Sequence, residues 1–210
     1  MKFEQGLIQM FVNTDVICDI CRSQMCVAGT TFLLEDMPCE SLYVYDGIVK
    51  EMLIQYKELL DEALFPVFLY PYLSYVRKKY SGYTLVIAPS SLRALEKRGF
   101  SHVDKMFGVL GMDMVCIFEK DEFEQKHKLL KQRQEIEKYV HLSGEIPNTP
   151  LLLVDDVCTT GSTLIAMYHK IQNHSYPVKA LVCCCHAKYV EIRRWKRFVV
   201  WLWWIYTQVV

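Results

Sequence analysis

Short apolar runs alternate along the chain with stretches in which apolar residues recur at helical spacing. Runs of this kind are typical of strands that are covered on both faces of a sheet. They predict strands at 85–88, 114–118, 151–154 and 178–184. Helices are predicted at 49–56, over 58–80, after the loop that begins at 89, and at 162–172. This alternation predicts an α/β fold in which helices flank a parallel sheet.

Two features interrupt the pattern. Pro66 and Pro71 divide the stretch 58–80, so we expect two or three helices before the first strand. Residues 119–143 are highly charged and carry no long apolar stripe, which favours a solvated helix or a mobile loop.

Composition limits the classes of protein to consider. The chain has 210 residues, 52% of them hydrophobic, which suffices for one α/β domain and a small appendage. Lys+Arg and Asp+Glu both total 24, so net charge gives no general attraction to nucleic acid. The N-terminus has no basic segment followed by an apolar core. We therefore expect a cytoplasmic protein whose 9 cysteines are mostly reduced thiols or metal ligands.

The segment 151–163 joins a buried-strand pattern to two acids and a hydroxyl-rich loop. Asp155 and Asp156 follow the strand, and the loop that leads into the next helix contains Cys158, Thr159, Thr160, Gly161, Ser162 and Thr163. Backbone N–H groups and hydroxyls at a helix start favour a phosphate. Carboxylates beside it can accept hydrogen bonds from ribose hydroxyls, directly or through hydrated Mg²⁺. The alternative is a polar strand-to-helix turn with an N-cap.

Cysteines near the N-terminus have the spacing of a zinc site. Cys18 and Cys21 form a Cys-x-x-Cys pair and Cys39 follows, but Leu42 stands where a second pair would end, so Cys26 is the candidate fourth ligand. We therefore divide the chain into a zinc-ribbon-like module at 1–46 and an α/β domain at 47–210. The alternative is a degenerate module of reduced cysteines. Cysteines in apolar strands, Cys116 and 183–185, are predicted to be core residues.

The acid pair and loop closely resemble the binding signature of the type I phosphoribosyltransferases. Together with the Cys-x-x-Cys module and the Arg-Gly-Phe-Ser-His motif at 98–102, they resemble the competence protein ComFC family. Members of that family join a zinc ribbon to a phosphoribosyltransferase domain and are linked to DNA uptake in natural transformation. Gln125 and Arg133 fit the spacing of the family's mobile loop.

The resemblance implies a ligand and roles for several residues. The ligand is phosphoribosyl pyrophosphate with Mg²⁺, or a nucleotide, and the loop from Cys158 to Thr163 would hold its 5-phosphate. Asp155 and Asp156 would act as the catalytic acids at the ribose. On the pyrophosphate side the resemblance implies Ser90, Ser91 and Arg98, and it implies Zn²⁺ on the four cysteines.

The resemblance predicts a ComFC-like protein of DNA uptake, with or without catalysis. The alternative is a metabolic phosphoribosyltransferase of nucleotide or base salvage. A third possibility is an adaptor with an inactive loop, against which the complete acid pair argues. Basic residues interleaved with aromatic ones at 77–80 and 193–197 favour single-stranded DNA as a partner, alongside proteins of the uptake machinery.

The apolar, tryptophan-rich run at 198–206 is too short to span a bilayer. It predicts either a last strand packed on the sheet or a peripheral contact with the inner face of the membrane.

Overall fold

The computed structural model describes residues 16–121 and 137–190, which form one mixed sheet, a small ribbon and the helices that cover them. The strands are β1 (Val27–Leu34), β2 (Met37–Val44), β3 (Thr84–Ile87), β4 (Met114–Val115), β5 (Phe118–Lys120), β6 (Val140–Leu142), β7 (Leu151–Cys158) and β8 (Val178–Cys185). The helices are α1 (Asp19–Gln24), α2 (Gly47–Glu58), α3 (Leu73–Lys79), α4 (Leu92–Arg98), α5 (His102–Gly108) and α6 (Ser162–Ile171).

The main sheet has six strands in the order β1-β2-β8-β7-β3-β4. All neighbours in it are parallel except β1 and β2, which form an antiparallel hairpin at one edge. The separate ribbon pairs β5 with β6 in antiparallel fashion. The predicted parallel sheet with flanking helices is therefore confirmed.

Two apolar clusters lie on opposite faces of the sheet, because successive strand residues point to opposite sides. Leu152 and Val154 of β7 pack in one cluster with residues of α2, α3 and α5. Leu151 and Leu153 pack in the other with residues of α6. Continuous apolar runs are thus explained by burial on both faces.

The predicted strand 114–118 is divided between the two sheets. Met114 and Val115 pair with β3, whereas Phe118 begins the ribbon. Between them the carbonyl of Ile117 accepts the N–H groups of Ser143 and Gly144 instead of pairing with β3.

 The two N···O distances are 2.9 Å for Ser143 and 3.3 Å for Gly144. A Cβ added at Gly144 would lie 2.9 Å from the side chain of Ile117, so glycine permits this close approach.

The N-terminal hairpin belongs to the main sheet, although it lies inside the range predicted as a separate cysteine module. Cys39 sits in β2 opposite Ala180 of β8 and is fully buried. Apolar and polar residues do not alternate along β1, so the sequence carries no clear strand signal there and the cysteine spacing directed the prediction instead. The cysteines at 183–185 are buried, which confirms the prediction that they are core residues. The same prediction is wrong for Cys116, because Cys116 is exposed.

Several predictions fall on residues that the structure does not describe. These are the mobile-loop pair Gln125 and Arg133, the basic stretch 193–197 and the apolar run 198–206. Within residues 16–121 and 137–190, no helix is both long and apolar enough to cross a bilayer.

A buried carboxylate fastens the hairpin to α3. Glu40 of β2 accepts hydrogen bonds from the hydroxyls of Tyr75 and Tyr80, both at 2.6 Å, and from Nζ of Lys79 at 2.8 Å. Burial opposes ionisation of Glu40, but the bonds from Lys79 and the two tyrosines outweigh it and hold the pKa below its usual value. The ionised carboxylate therefore stabilises the fold.

We predict that Glu40→Gln lowers the free energy of unfolding at pH 7 by about 2 kcal/mol, because charged hydrogen bonds are lost. A carboxyl with a lowered folded-state pKa contributes stability above its unfolded pKa of about 4.3, and the contribution disappears as the pH falls through the folded value. The difference between wild type and variant should therefore shrink below about pH 4. Urea unfolding at several pH values measures it, with exposed Glu51→Gln as the control. A pH-independent difference would contradict the argument.

Candidate functional site

Strand β7 continues past the predicted end at 154, so the two acids lie inside a paired strand. Asp155 is opposite Val182 of β8, and pairing continues to Cys158 and Cys185. Neighbouring strand residues face opposite sides of a sheet. Asp156 accordingly meets α2 and α5 on one face, whereas Asp155 lies towards the face that holds Cys39.

Asp156 is buried and fully paired. Its Oδ2 lies 2.5 Å from Nζ of Lys57 in α2 and 3.1 Å from Nε2 of His102 in α5. Its Oδ1 accepts the N–H of Val157 at 2.7 Å. Burial opposes ionisation, but the hydrogen bond from His102 and the charge of Lys57 outweigh it, so the pKa of Asp156 lies below its usual value. Asp156 is a buried anion.

The position of Arg98 determines which ring nitrogen of His102 carries the proton. An NH1 nitrogen of Arg98 lies 2.5 Å from Nδ1 of His102, and a guanidinium can only donate. Nδ1 must therefore be the acceptor, which leaves the proton on Nε2, where it is donated to Asp156. Burial, together with the charges of Lys57 and Arg98, keeps the pKa of His102 below its usual value despite Asp156. His102 is thus neutral at pH 7.

Asp155 has a different environment. It is half-buried, and its Oδ1 accepts the N–H of Asp156 at 2.8 Å. Burial and then the charge of Asp156 raise the pKa of Asp155 well above its usual value. Asp155 is therefore the more accessible acid of the two and the one whose charge is not fixed by an ion pair with a lysine or histidine among the described residues.

The hydroxyl-rich loop has the backbone expected of a strand-to-helix turn. Gly161 is in the left-handed region at φ 76° and immediately precedes α6. The hydroxyls of Thr160 and Ser162 lie 2.7 Å apart, and the N–H of Ser162 points to Oγ1 of Thr160 at 3.4 Å. Thr159 and Thr160 are exposed, whereas Cys158 is buried. The loop therefore offers threonine hydroxyls and backbone amides, and not the Cys158 thiol, to a ligand.

Two parts of the chain approach the loop closely. A Cβ added at Gly161 would lie 2.5 Å from Cδ2 of Leu34, so the end of β1 packs directly on the turn. On another side, Nζ of Lys120 in β5 lies 3.5 Å from Oγ1 of Thr163. Lys120 also forms a backbone bridge with Ser91 in the turn after β3. Lys120 thus connects the two turns that the sequence assigns to phosphates, and sequence reasoning missed it.

The residues assigned to pyrophosphate have separate surroundings. Ser90 lines a cavity of about 340 Å³ together with Lys120, Cys116 and Asp104. Ser91 caps α4 by accepting the N–H of Ala94 at 3.4 Å. Arg98 is engaged by His102, as described above. Ser90 and Lys120 are therefore the polar groups from these turns that share a cavity.

A larger cavity, of about 470 Å³, is lined by Thr160 and Ser162 of the loop and by residues of β1 and α6. His169 stands at its wall between two carboxylates, with Nε2 at 2.7 Å from Glu35 and Nδ1 at 3.2 Å from Glu137. The hydrogen bond with Glu35 is the main cause of a raised pKa of His169.

Of the cysteines assigned to zinc, the thiols of Cys18 and Cys21 are in contact, but Cys39 lies with other partners. Cys18 and Cys26 are exposed, whereas Cys39 is buried beside the thiol of Cys158. That thiol contact and burial raise the pKa of Cys39, which disfavours the thiolate that zinc requires. Across the described ranges there is no group of three His, Cys, Asp or Glu residues that could hold a metal ion. Cys39 therefore does not fit the assigned ligand set. Zinc on Cys18 and Cys21 stays a prediction, which metal analysis of the purified protein tests.

The basic stretch at 77–80 is largely committed to internal contacts. Arg77 donates to the carbonyls of Val109 and Leu110, Lys79 pairs with Glu40, and Tyr80 is buried. This stretch consequently gives no support to binding of single-stranded DNA.

Comparison with known proteins identifies the family. The family model of the phosphoribosyl transferase domain matches residues 89–202, more than half of the chain. The chain belongs to the phosphoribosyl transferase domain family. The match includes Ser90, Lys120, both acids and the whole loop. Lys57 and the hairpin β1–β2 precede it, so residues from outside the matched range contact Asp156 and the loop.

One curated relative and several solved structures are similar. The chain is 29% identical to competence protein ComFC of Streptococcus pneumoniae (strain ATCC BAA-255 / R6) over 127 residues. These aligned residues make up 59% of this chain and 57% of that protein. The alignment thus spans little more than half of the relative's length. A hypoxanthine phosphoribosyltransferase from Staphylococcus aureus has 14% identity and a TM-score of 0.36, with 64% of this chain and 62% of that chain covered. An orotate phosphoribosyltransferase from Aeropyrum pernix has 13% identity and a TM-score of 0.32, with coverages of 84% and 97%.

We predict that Gly161→Ala destabilises the protein more than Gly82→Ala does. Both glycines have a similar positive φ, of 76° and 78°, but an added Cβ meets Leu34 only at Gly161 and meets open space at Gly82. Backbone strain should cost about 1–2 kcal/mol at either position, and crowding should add about 1–3 kcal/mol at Gly161. Urea unfolding gives both values.

The extra cost at Gly161 should fall when Leu34→Ala is already present, because that change opens the crowded space. Equal costs of Gly161→Ala in both backgrounds would show that Leu34 does not restrict the loop.

Proposed function

We propose that this domain binds phosphoribosyl pyrophosphate, or a nucleotide of similar shape, through the loop between β7 and α6. The observation that carries the proposal is the junction itself: a buried strand, a left-handed glycine, and a helix start with exposed threonines. Backbone amides at such a junction suit the 5-phosphate. Thr159, Thr160 and Thr163 add hydroxyl donors.

The other groups of the ligand have candidate partners as well. Asp155, which lies inside β7 shortly before the loop, can accept hydrogen bonds from the ribose hydroxyls. Lys120 and Ser90, which share a cavity, suit the pyrophosphate. Mg²⁺ fits this oxygen-rich set, because it binds through one or two carboxylates and substrate phosphates, and when bound it would neutralise charge on the pyrophosphate. If transfer occurs, an acceptor nitrogen bonds to C1 of the ribose as the C1–O bond to pyrophosphate breaks.

We predict that the protein binds phosphoribosyl pyrophosphate by calorimetry, more tightly with Mg²⁺ than in chelator, and that Lys120→Met weakens binding about tenfold, since a charged contact is lost. Lys170→Met, which removes an exposed lysine from the last turn of α6, is the matched control and should bind as wild type does. Absence of binding by the wild type would contradict the proposed ligand, and wild-type affinity in Lys120→Met would remove only Lys120 from the site.

The biological role that we favour is DNA uptake during natural transformation. This rests on the similarity to a protein named as a competence protein. Metabolic phosphoribosyl transfer in nucleotide or base salvage is the alternative, because the chain belongs to the phosphoribosyl transferase domain family.

In a naturally transformable host, we expect that loss of this protein lowers transformation by about tenfold or more while growth without added bases is unaffected, and that Gly161→Val fails to restore it. Gly82→Ala is the control that keeps the loop intact. Normal transformation in the null strain, combined with pyrophosphate release when purified protein meets a nucleobase, would instead establish the salvage function.

A further inference from the structure

The two adjacent acids of β7 differ in what surrounds them. Asp156 is held on Oδ2 by Lys57 and His102 and on Oδ1 by the N–H of Val157, so both of its oxygens already have partners within the protein. Asp155 is only half-buried and accepts only the N–H of Asp156 among the described hydrogen bonds. A ligand therefore meets Asp155 more readily than Asp156.

The partners of Asp156 come from distant parts of the chain. Lys57 is near the end of α2, and His102 begins α5. The carbonyl of His102 also accepts the hydroxyl of Tyr56 at 2.7 Å, so α2 and α5 are joined directly beside the carboxylate. Arg98, on Nδ1 of the imidazole, leaves Nε2 as the donor to Asp156. The charge and orientation of one carboxylate are thus determined by both helices.

Asp156 in turn fixes the backbone from which the phosphate loop departs. Its Oδ1 accepts the next N–H along the chain, and its own carbonyl accepts the thiol of Cys184 at 3.5 Å. Cys158, the first residue of the loop, follows two positions later. Movement of the Asp156 carboxylate would therefore displace the start of the loop.

We propose that Lys57 and His102 are positioning residues, which hold Asp156 in place so that the phosphate loop and Asp155 are presented to the ligand. Lys57 lies before the range that matches the family model. Asp156 acts in this arrangement as an internal anchor and Asp155 as the acid that contacts ligand. The inference rests on the proposed function for its ligand, but its structural half can be tested without one.

The test without ligand uses the unfolding of four proteins: wild type, Lys57→Met, Asp156→Asn and the double variant. Removal of Lys57 alone leaves a buried carboxylate without its lysine, which is strongly destabilising, whereas removal of both charges is far less so. We expect a lower urea midpoint for Lys57→Met and recovery of about half of that loss or more in the double variant. A double variant that is less stable than either single variant would show that Lys57 contributes only by packing.

The test with ligand uses phosphoribosyl pyrophosphate and Mg²⁺. Lys57→Met should weaken binding about tenfold or more, and Lys57→Arg, which keeps the charge, should stay within about threefold of wild type. Lys50→Met removes an exposed lysine from the same helix and should have no effect. His102→Gln keeps an N–H donor for Asp156 and should bind more tightly than His102→Ala.

These outcomes separate two kinds of failure. If the wild type does not bind phosphoribosyl pyrophosphate, the proposed function fails, and the urea data alone decide whether Lys57 and Asp156 are coupled. If the wild type binds and Lys57→Met binds equally tightly while folded, Lys57 is not a positioning residue. If Asp156→Asn loses ligand and Asp155→Asn does not, the assignment of the two acids is reversed.

Discussion

A single buried negative charge constrains much of this structure. Asp156 lies in the middle of the sheet, where an unpaired carboxylate would be costly, so the fold must bring a cation and a hydrogen-bond donor to it. Lys57 and His102 supply these groups from α2 and α5. The docking of two helices on one face of the sheet is therefore tied to the electrostatics of the strand that leads into the loop.

Asp155, the neighbour of Asp156 in the same strand, has the opposite electrostatic environment. Asp155 follows the alternation of side chains to the other face, where no lysine or histidine of the described residues pairs with it. Burial and the nearby charge of Asp156 raise its pKa. Two identical side chains thus become a fixed anion and an acid with a raised pKa, as expected when only one of two close carboxylates is compensated.

The sequence predicts those parts of the structure that depend on local patterns, and it fails where residues far apart in the chain interact. Local apolar runs identified the strands at 85–88, 151–154 and 178–184 and the helix after the loop, because burial on both faces leaves a continuous pattern. The strand 114–118 was only partly right, since contacts of Ile117 with Ser143 and Gly144 divide it. The hairpin β1–β2 was obscured by cysteine spacing. Lys57 follows Leu53 by one helical repeat on the buried side of α2, but its partner lies far along the chain, and no local pattern connects them.

The hairpin also changes how the N-terminal region relates to the site. Leu34 packs on Gly161, Phe32 stacks on Tyr189 with ring centroids 4.2 Å apart, and the thiol of Cys39 meets that of Cys158. All three contacts reach the loop or the residues after β8. On the opposite face, Lys57 reaches Asp156. The hairpin and Lys57 both precede residue 89, where the family match begins. The loop's geometry therefore depends on residues that lie outside the family match, and substitutions in the hairpin should be weighed as changes near the candidate site.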